Sequence, residues 1–424
     1  SSLGAVGTPY VYLNKVAALT GDVFGGGMGR YTANATDNAQ ATVTGTATVY
    51  LNEGFDLAGN IYGGCNIYGE TANAEVNLIG GTVGTASANA NVFGGGKGAK
   101  TTFTTYNSET DKGTIAVNLG SKSTDTTPVY SGTSHVYGKI YGGSENGSVQ
   151  NVDVNLYGGI VTGDVFGGGY DTTDPTHVAA ANDVKVTLDG AYVSGSIFGC
   201  NDTNGSPSGT AEVHIFRTTH LSGTTVSDDD LTGFGVYELK DVYGGGNEAA
   251  FTGSTTKVVI ESCDPSIETV YGGGNAANAT NTEVIVKGAY EIGTVFGGGN
   301  GENGVSDDPT QANYANVTGT AKTVLNGGLI HDFYGGSNLH GDIGSVSTGG
   351  AATGGTDITI DDLFTKNAEG CLLKVDNIYG VPIKPVVIFP PHSSIKPNKS
   401  FVKDVRSSFL HKSKYKERII PVWV

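Results

Sequence analysis

The chain has 424 residues, 68 of them glycine, with 15% charged residues and a formal net charge of −17. Glycine stands at more than twice its usual share of about 7%, and charge well below the usual share of about 25%; a hydrophobic content of 38% is nevertheless too high for a flexible glycine-serine linker. No stretch approaches the roughly 18 apolar residues of a membrane helix, and the acidic balance argues against nucleic acid as a partner.

Taken in chain order, one motif recurs: a β-branched or aromatic residue, an aromatic, then glycines. The aromatic falls at Phe24, Tyr62, Phe93, Tyr141, Phe166 and Phe198, then at Tyr243, Tyr271, Phe296 and Tyr334, with a truncated copy at Tyr379. Spacings between copies run from 25 to 48 residues, so a fixed unit carries inserted loops of different length. The compact unit is "TEVIVKGAYEIGTVFGGGN" (282–300). It reads as an alternating strand, a short second strand around a Val or Ile, and a third strand ending in the glycine corner. Glycines inside such a pattern mark corners or places where backbones approach closely.

Three short strands and three corners in about 25 residues fit one coil of a solenoid whose strands pair in parallel with the next coil. The expected fold is all-β: a parallel β-solenoid (β-helix) of about eleven coils, roughly 50 Å long at about 4.8 Å per coil. Val and Ile would form internal ladders, each worth about 1.5–3 kcal/mol on full burial. The eleven aromatics would stack as a further ladder, and Asn247, Asn275 and Asn300 would form an amide ladder at the turn.

Two domains are expected: a solenoid over residues 1–380 and a tail over 381–424. The tail has no glycine, six of the twelve prolines and nine Lys/Arg against two Asp/Glu, a net +7; the remainder has 15 basic and 39 acidic residues, a net −24. Such a tail could dock on its own solenoid or on the next subunit. The repeat is entered at once from residue 10, with no capping segment before it. An open solenoid end exposes a strand edge that invites pairing with another chain, so the chain is expected to be a fragment of a longer rod or a stacking subunit.

The repeat resembles the glycine-rich β-solenoid repeats of secreted bacterial surface proteins, adhesin-like proteins in particular, over residues 10 to about 380. The resemblance implies an extracellular or cell-surface location and a structural role: surface rod, adhesin stalk or filament subunit joined end to end through strand edges. Glycans or a host surface are further possible contacts. The competing reading is a β-helix that binds or cleaves polysaccharide.

No catalytic, cofactor or metal residue is assigned. "GGGKGAKT" (94–101) narrowly misses a phosphate-binding loop, because Ala99 stands where glycine is needed, and "GNGENG" (299–304) lacks a following helix. Carboxylates cluster in loops (Asp228, Asp229, Asp230; Asp307, Asp308; Asp361, Asp362) rather than at the fixed positions of a calcium repeat. Cys65, Cys200, Cys263 and Cys371 show no CxxC spacing, so zinc is not expected. Scattered buried thiols are the expectation, with a Cys200–Cys263 bridge left open. A β-helix enzyme needs converging carboxylates, often with a base. Asp153, Asp183 and Lys185 are the outward group that comes nearest; Arg30 and Arg217 are far apart, and His135, His177, His214, His220, His331 and His340 show no repeated partner. Tyr31, Tyr106, Tyr170 and Tyr314 are the loop aromatics suited to sugar contact.

Overall fold

The computed structural model describes residues 2–14, 19–103, 113–170, 182–219, 237–301, 314–346, 352–367 and 370–380. The tail, His177, His220, Tyr106 and the aspartates at 228–230 and 307–308 lie outside them.

The repeat folds into a parallel β-solenoid whose strands stack in two long sheets and one short one. The wide face is a 13-stranded sheet built from the alternating segments, running from Ser2–Val6 to Gly355–Ile360. The aromatic face is an 11-stranded sheet running from Val23–Phe24 to Leu373–Tyr379. Five short strands, from Asp56–Leu57 to Tyr192–Val193, make a narrow face. Insertions leave the coils as loops, two of which form small hairpins: Ser121–Lys122 with Tyr130–Ser131, and Ser345–Val346 with Ala352–Thr353.

Register explains the core. Val117, Val154, Val186, Val213, Val258 and Val284 face one another coil after coil, and all are buried with the other alternating Val, Ile and Leu side chains in one aliphatic cluster. Each coil therefore closes on the next through both backbone pairing and a continuous apolar ladder.

The three-strand unit holds only in the earlier coils. From Leu239–Tyr243 onward the second and third strands run together as one strand of five to seven residues. Three residues before the aromatic stand Gly21, Gly59, Ala90, Gly138, Gly163 and Gly195 in the earlier coils, and Lys240, Glu268, Gly293, His331 and Asp376 in the later ones. Gly293 lies inside a continuous strand, Glu291–Phe296, so that position alone does not set the bend.

The repeated glycines have a steric cause. A Cβ on the first glycine of each corner, from Gly25 to Gly335, would lie 2.2–2.7 Å from the carbonyl oxygen of its counterpart in the following coil. The amide of each of these glycines also donates to the carbonyl of the following coil's aromatic at 2.8–3.0 Å. Only a residue without a side chain permits that approach.

Candidate functional site

The aromatic ladder is the most regular feature. Neighbouring rings from Phe24 through Tyr379 stack at centroid distances of 4.5–5.1 Å, with interplanar angles of 14° or less. Each ring follows a core Val, Ile or Phe, so strand alternation places it on the opposite side of the sheet from the aliphatic core. The rings form a cluster of their own. Polar side chains cover them. Lys97 sits 5.4 Å above the Tyr62 ring and Lys139 5.1 Å above Phe166; Tyr62 donates to Glu145, and Tyr141 donates to Asp202 at 2.8 Å. Burial, with the nearby carboxylates, pushes the Tyr62, Tyr141 and Tyr243 hydroxyls far above their ordinary pKa, and burial above all raises Tyr271 and Tyr334 to about 12. Rings stacked on both faces in this way, from Tyr62 to Tyr334, offer no open face to a sugar.

At the turn, Asn275 donates to Asn247 at 2.9 Å and Asn300 to Asn275 at 2.8 Å. The ladder extends further at both ends: Asn247 donates to Asp202, and Asn338 donates to Asn300, each at 2.9 Å. A second amide ladder, Asn77, Asn118 and Asn155, crosses the wide face.

The outward groups of the wide face do not converge as an acid-base pair. Asp153 lies opposite Lys185, and the row continues through Glu212, Lys257, Glu283, Lys322 and Asp357. Charge alternates at every step, with Lys322 2.7 Å from Glu283. Asp183 is elsewhere, capping the next coil by accepting from the Thr210 amide at 2.7 Å. Arg217 and Lys122 both neutralise the buried Asp189 at 2.7 Å, and Arg30 bonds the Asp37 carbonyl.

Two histidines have partners that only the coil register creates. His331 lies between Glu291 of one coil and Asp376 of the next, at 2.5 and 2.8 Å. Burial opposes its charge, but the two carboxylates outweigh it and raise its pKa. His214 lies between Glu212, two residues away on its own strand, and Glu261 of the next coil, at 3.0 and 2.7 Å, so only the second is brought by the register. His135 instead bonds Thr162 and is lowered by burial; His340 lies against Tyr314.

The cysteine expectation is corrected. Cys263 is bonded to Cys371, 108 residues away, with Cα atoms 5.9 Å apart. Cys200 sits at a glycine corner against the Gly244 carbonyl, buried and unoxidised like Cys65, and burial raises both thiols. The bridge ties the last coil to a corner loop that precedes it by more than one coil.

An open cleft of about 530 Å³ lies where the longer strands meet Tyr192–Val193, lined by Tyr192, Tyr237, Glu238, Lys240, Glu268 and Asp332 among others. Of the loop tyrosines, Tyr31 is exposed and meets Tyr68 edge-on. Tyr170 leans on Tyr141 and Tyr314 is buried, so neither stands free for sugar contact. Asp362 accepts from the Thr365 amide at the start of a short helix, Leu363–Asn367. Lys100 and Thr101, in the near-miss phosphate loop, enter a strand, Lys100–Phe103, that pairs with Tyr68–Leu78. Among the described residues no group of three or more His, Cys, Asp or Glu side chains could hold a metal ion, and no helix is long and apolar enough to cross a membrane.

No protein-family model matches the chain, and no curated protein or solved structure matches it.

Proposed function

We propose that the chain is a non-enzymatic structural subunit of an extracellular or cell-surface bacterial rod, an adhesin-like stalk or filament that joins end to end through its strand edges. One observation carries this reading. The aliphatic core is closed along its length, and its half-buried members, Val11, Ile358, Leu373, Val375 and Ile378, all belong to the first or last coil. Among the described residues the core is open at both ends and bounded by strand edges, which suits stacking on another solenoid. The Cys263–Cys371 bond supports an oxidising location, and the acidic repeat region suits solubility there.

The cleft beside Tyr192 favours a second reading, a polysaccharide-binding module, since Tyr237 and Tyr192 offer ring faces and Glu238, Glu268 and Asp332 offer acceptors for sugar hydroxyls. Sedimentation velocity of the purified chain over a concentration series separates the two. The structural reading predicts large, concentration-dependent species without added glycan. A monomer at every concentration that binds a glycan, and loses binding on Tyr237→Ala, would favour the second.

A further inference from the structure

One column of glycine runs the length of the solenoid, and a second, interrupted one points the opposite way. The first glycine after each aromatic faces the following coil, where a Cβ would meet a carbonyl oxygen at 2.2–2.7 Å. The glycine three residues before the aromatic faces the preceding coil. A Cβ on Gly59, Gly138, Gly163, Gly195 or Gly293 would lie 2.3–2.6 Å from the carbonyl of the preceding coil's counterpart. The first column is glycine in every coil; the second is glycine only in part, with Ala90, Lys240, Glu268, His331 and Asp376 at its other positions.

Among the described residues, each column ends without a neighbour. At Gly380, the last member of the first column, a Cβ would meet nothing within 4 Å; the same holds at Gly21, the first member of the second. Neither residue has the positive φ that would by itself call for glycine. Glycine in a strand context costs roughly 0.5–1 kcal/mol relative to Ala, and among the described residues nothing offsets that cost at these two positions. One faces out of the last coil and the other out of the first.

We propose that a second copy of this chain seats its first coil on the last coil of the first, in the register that every interior pair of coils uses. Tyr379 then stacks on Phe24 of the second copy, and the Gly380 amide donates to that residue's carbonyl, as the Gly335 amide does to Tyr379 at 2.9 Å. Gly380 lies against the carbonyl of Gly25, and Gly21 of the second copy lies against the carbonyl of Asp376. On the wide face Leu325 faces Ile360, and Leu13 faces Leu51. The same register sets Ile360, 38% exposed in the subunit, on Leu13 of the second copy. One register thus satisfies both glycine columns, the aromatic ladder and the apolar core. The occupant is a coil that continues every ladder at once, and the first coil of a second copy presents each of them in Leu13, Gly21, Phe24 and Gly25. This inference rests on the reading of the chain as an end-joined subunit and specifies its joint.

The test compares the full chain with Gly380→Val and Gly21→Val by light scattering over a concentration series, alongside the thermal midpoint of dilute monomer. Neither added side chain meets a described residue of the subunit, so the midpoint should hold while the critical concentration for assembly rises about tenfold or more. A chain carrying Asp22→Cys and Asn377→Cys together should give intermolecular disulfide ladders on a non-reducing gel. A full chain that never assembles would overturn the end-joining reading itself. Assembly with an unchanged critical concentration in both Val variants and no ladder would overturn this joint while leaving that reading standing. A lowered midpoint in the Val variants would show that these glycines serve the subunit, and would also overturn the joint.

Discussion

Phe166→Ala tests whether the aromatic ladder holds coils together. The ring is fully buried, with Tyr141 at 5.1 Å on one side, Phe198 at 4.8 Å on the other and the Lys139 ammonium 5.1 Å from its centroid. Truncating a buried Phe costs about 3–5 kcal/mol; two stacks of roughly 0.5–1.5 kcal/mol each and a cation–π contact place this site toward the upper part of that range. Phe24→Ala is the internal comparison. Phe24 is only partly buried and has a single stacked neighbour, Tyr62 at 4.9 Å, so its loss should be about 1–2 kcal/mol. Urea unfolding of dilute protein measures both. Amide exchange on the coils beside each site should accompany it, because stacked repeats can open locally. Equal losses at the two sites, or a loss below about 1 kcal/mol at Phe166, would refute the ladder as a source of stability.

Gly272→Ala should destabilise by about 1–3 kcal/mol, although Gly→Ala in a strand ordinarily helps, because its Cβ would lie 2.3 Å from the Gly297 oxygen; a neutral or stabilising result in urea unfolding contradicts the steric account. The Glu291–His331–Asp376 clamp makes the last coil pH-sensitive. The raised pKa of His331 means its contribution is complete below about pH 6.5 and fades as pH rises through its folded value. Burial opposes the charge of Asp376, but hydrogen bonds from His331 and Lys374 outweigh it and lower its pKa, so its contribution is complete above about pH 4 and fades as pH falls through the folded value. Exchange of the 373–379 amides, corrected for intrinsic rate, should be slowest between these limits, and His331→Gln should remove the alkaline limb; an unchanged limb would exclude the clamp. Cys263→Ser should loosen the last coil by at most about 4.8 kcal/mol, the chain-entropy bound for a 108-residue separation. A non-reducing peptide map should join Cys263 to Cys371 and leave Cys65 and Cys200 alkylated only after denaturation; a Cys200–Cys263 peptide would contradict the structure.

What could be read locally in the sequence is what the repeat encodes locally. Alternation in "TEVIVKG" places Val284 and Val286 inside, and the motif before the glycines places Phe296 beside the corner. The same alternation, followed one residue further, separates the aromatic ladder from the aliphatic core, because Val295 and Phe296 are adjacent in a strand and face opposite ways. Features that depend on register between coils with unequal loops are not local. His331 meets Glu291 across 40 residues and Asp376 across 45, and no spacing rule relates those intervals. Asp202 joins the turn ladder although its coil has an interrupted glycine corner, and Asn338 joins it after only two glycines. The cysteine pairing was undetermined for the same reason, since four cysteines allow three connectivities. The cleft beside Tyr192 arises where the second and third strands run together, a change that becomes visible only when the coils are aligned.

Electron microscopy of the assembled full chain tests the central claim most directly. Continuous fibres with an axial repeat of about 50 Å, one subunit of about eleven coils at about 4.8 Å per coil, are the predicted result. Discrete rods of that length at every concentration, or fibres with strands running along the axis, would contradict it.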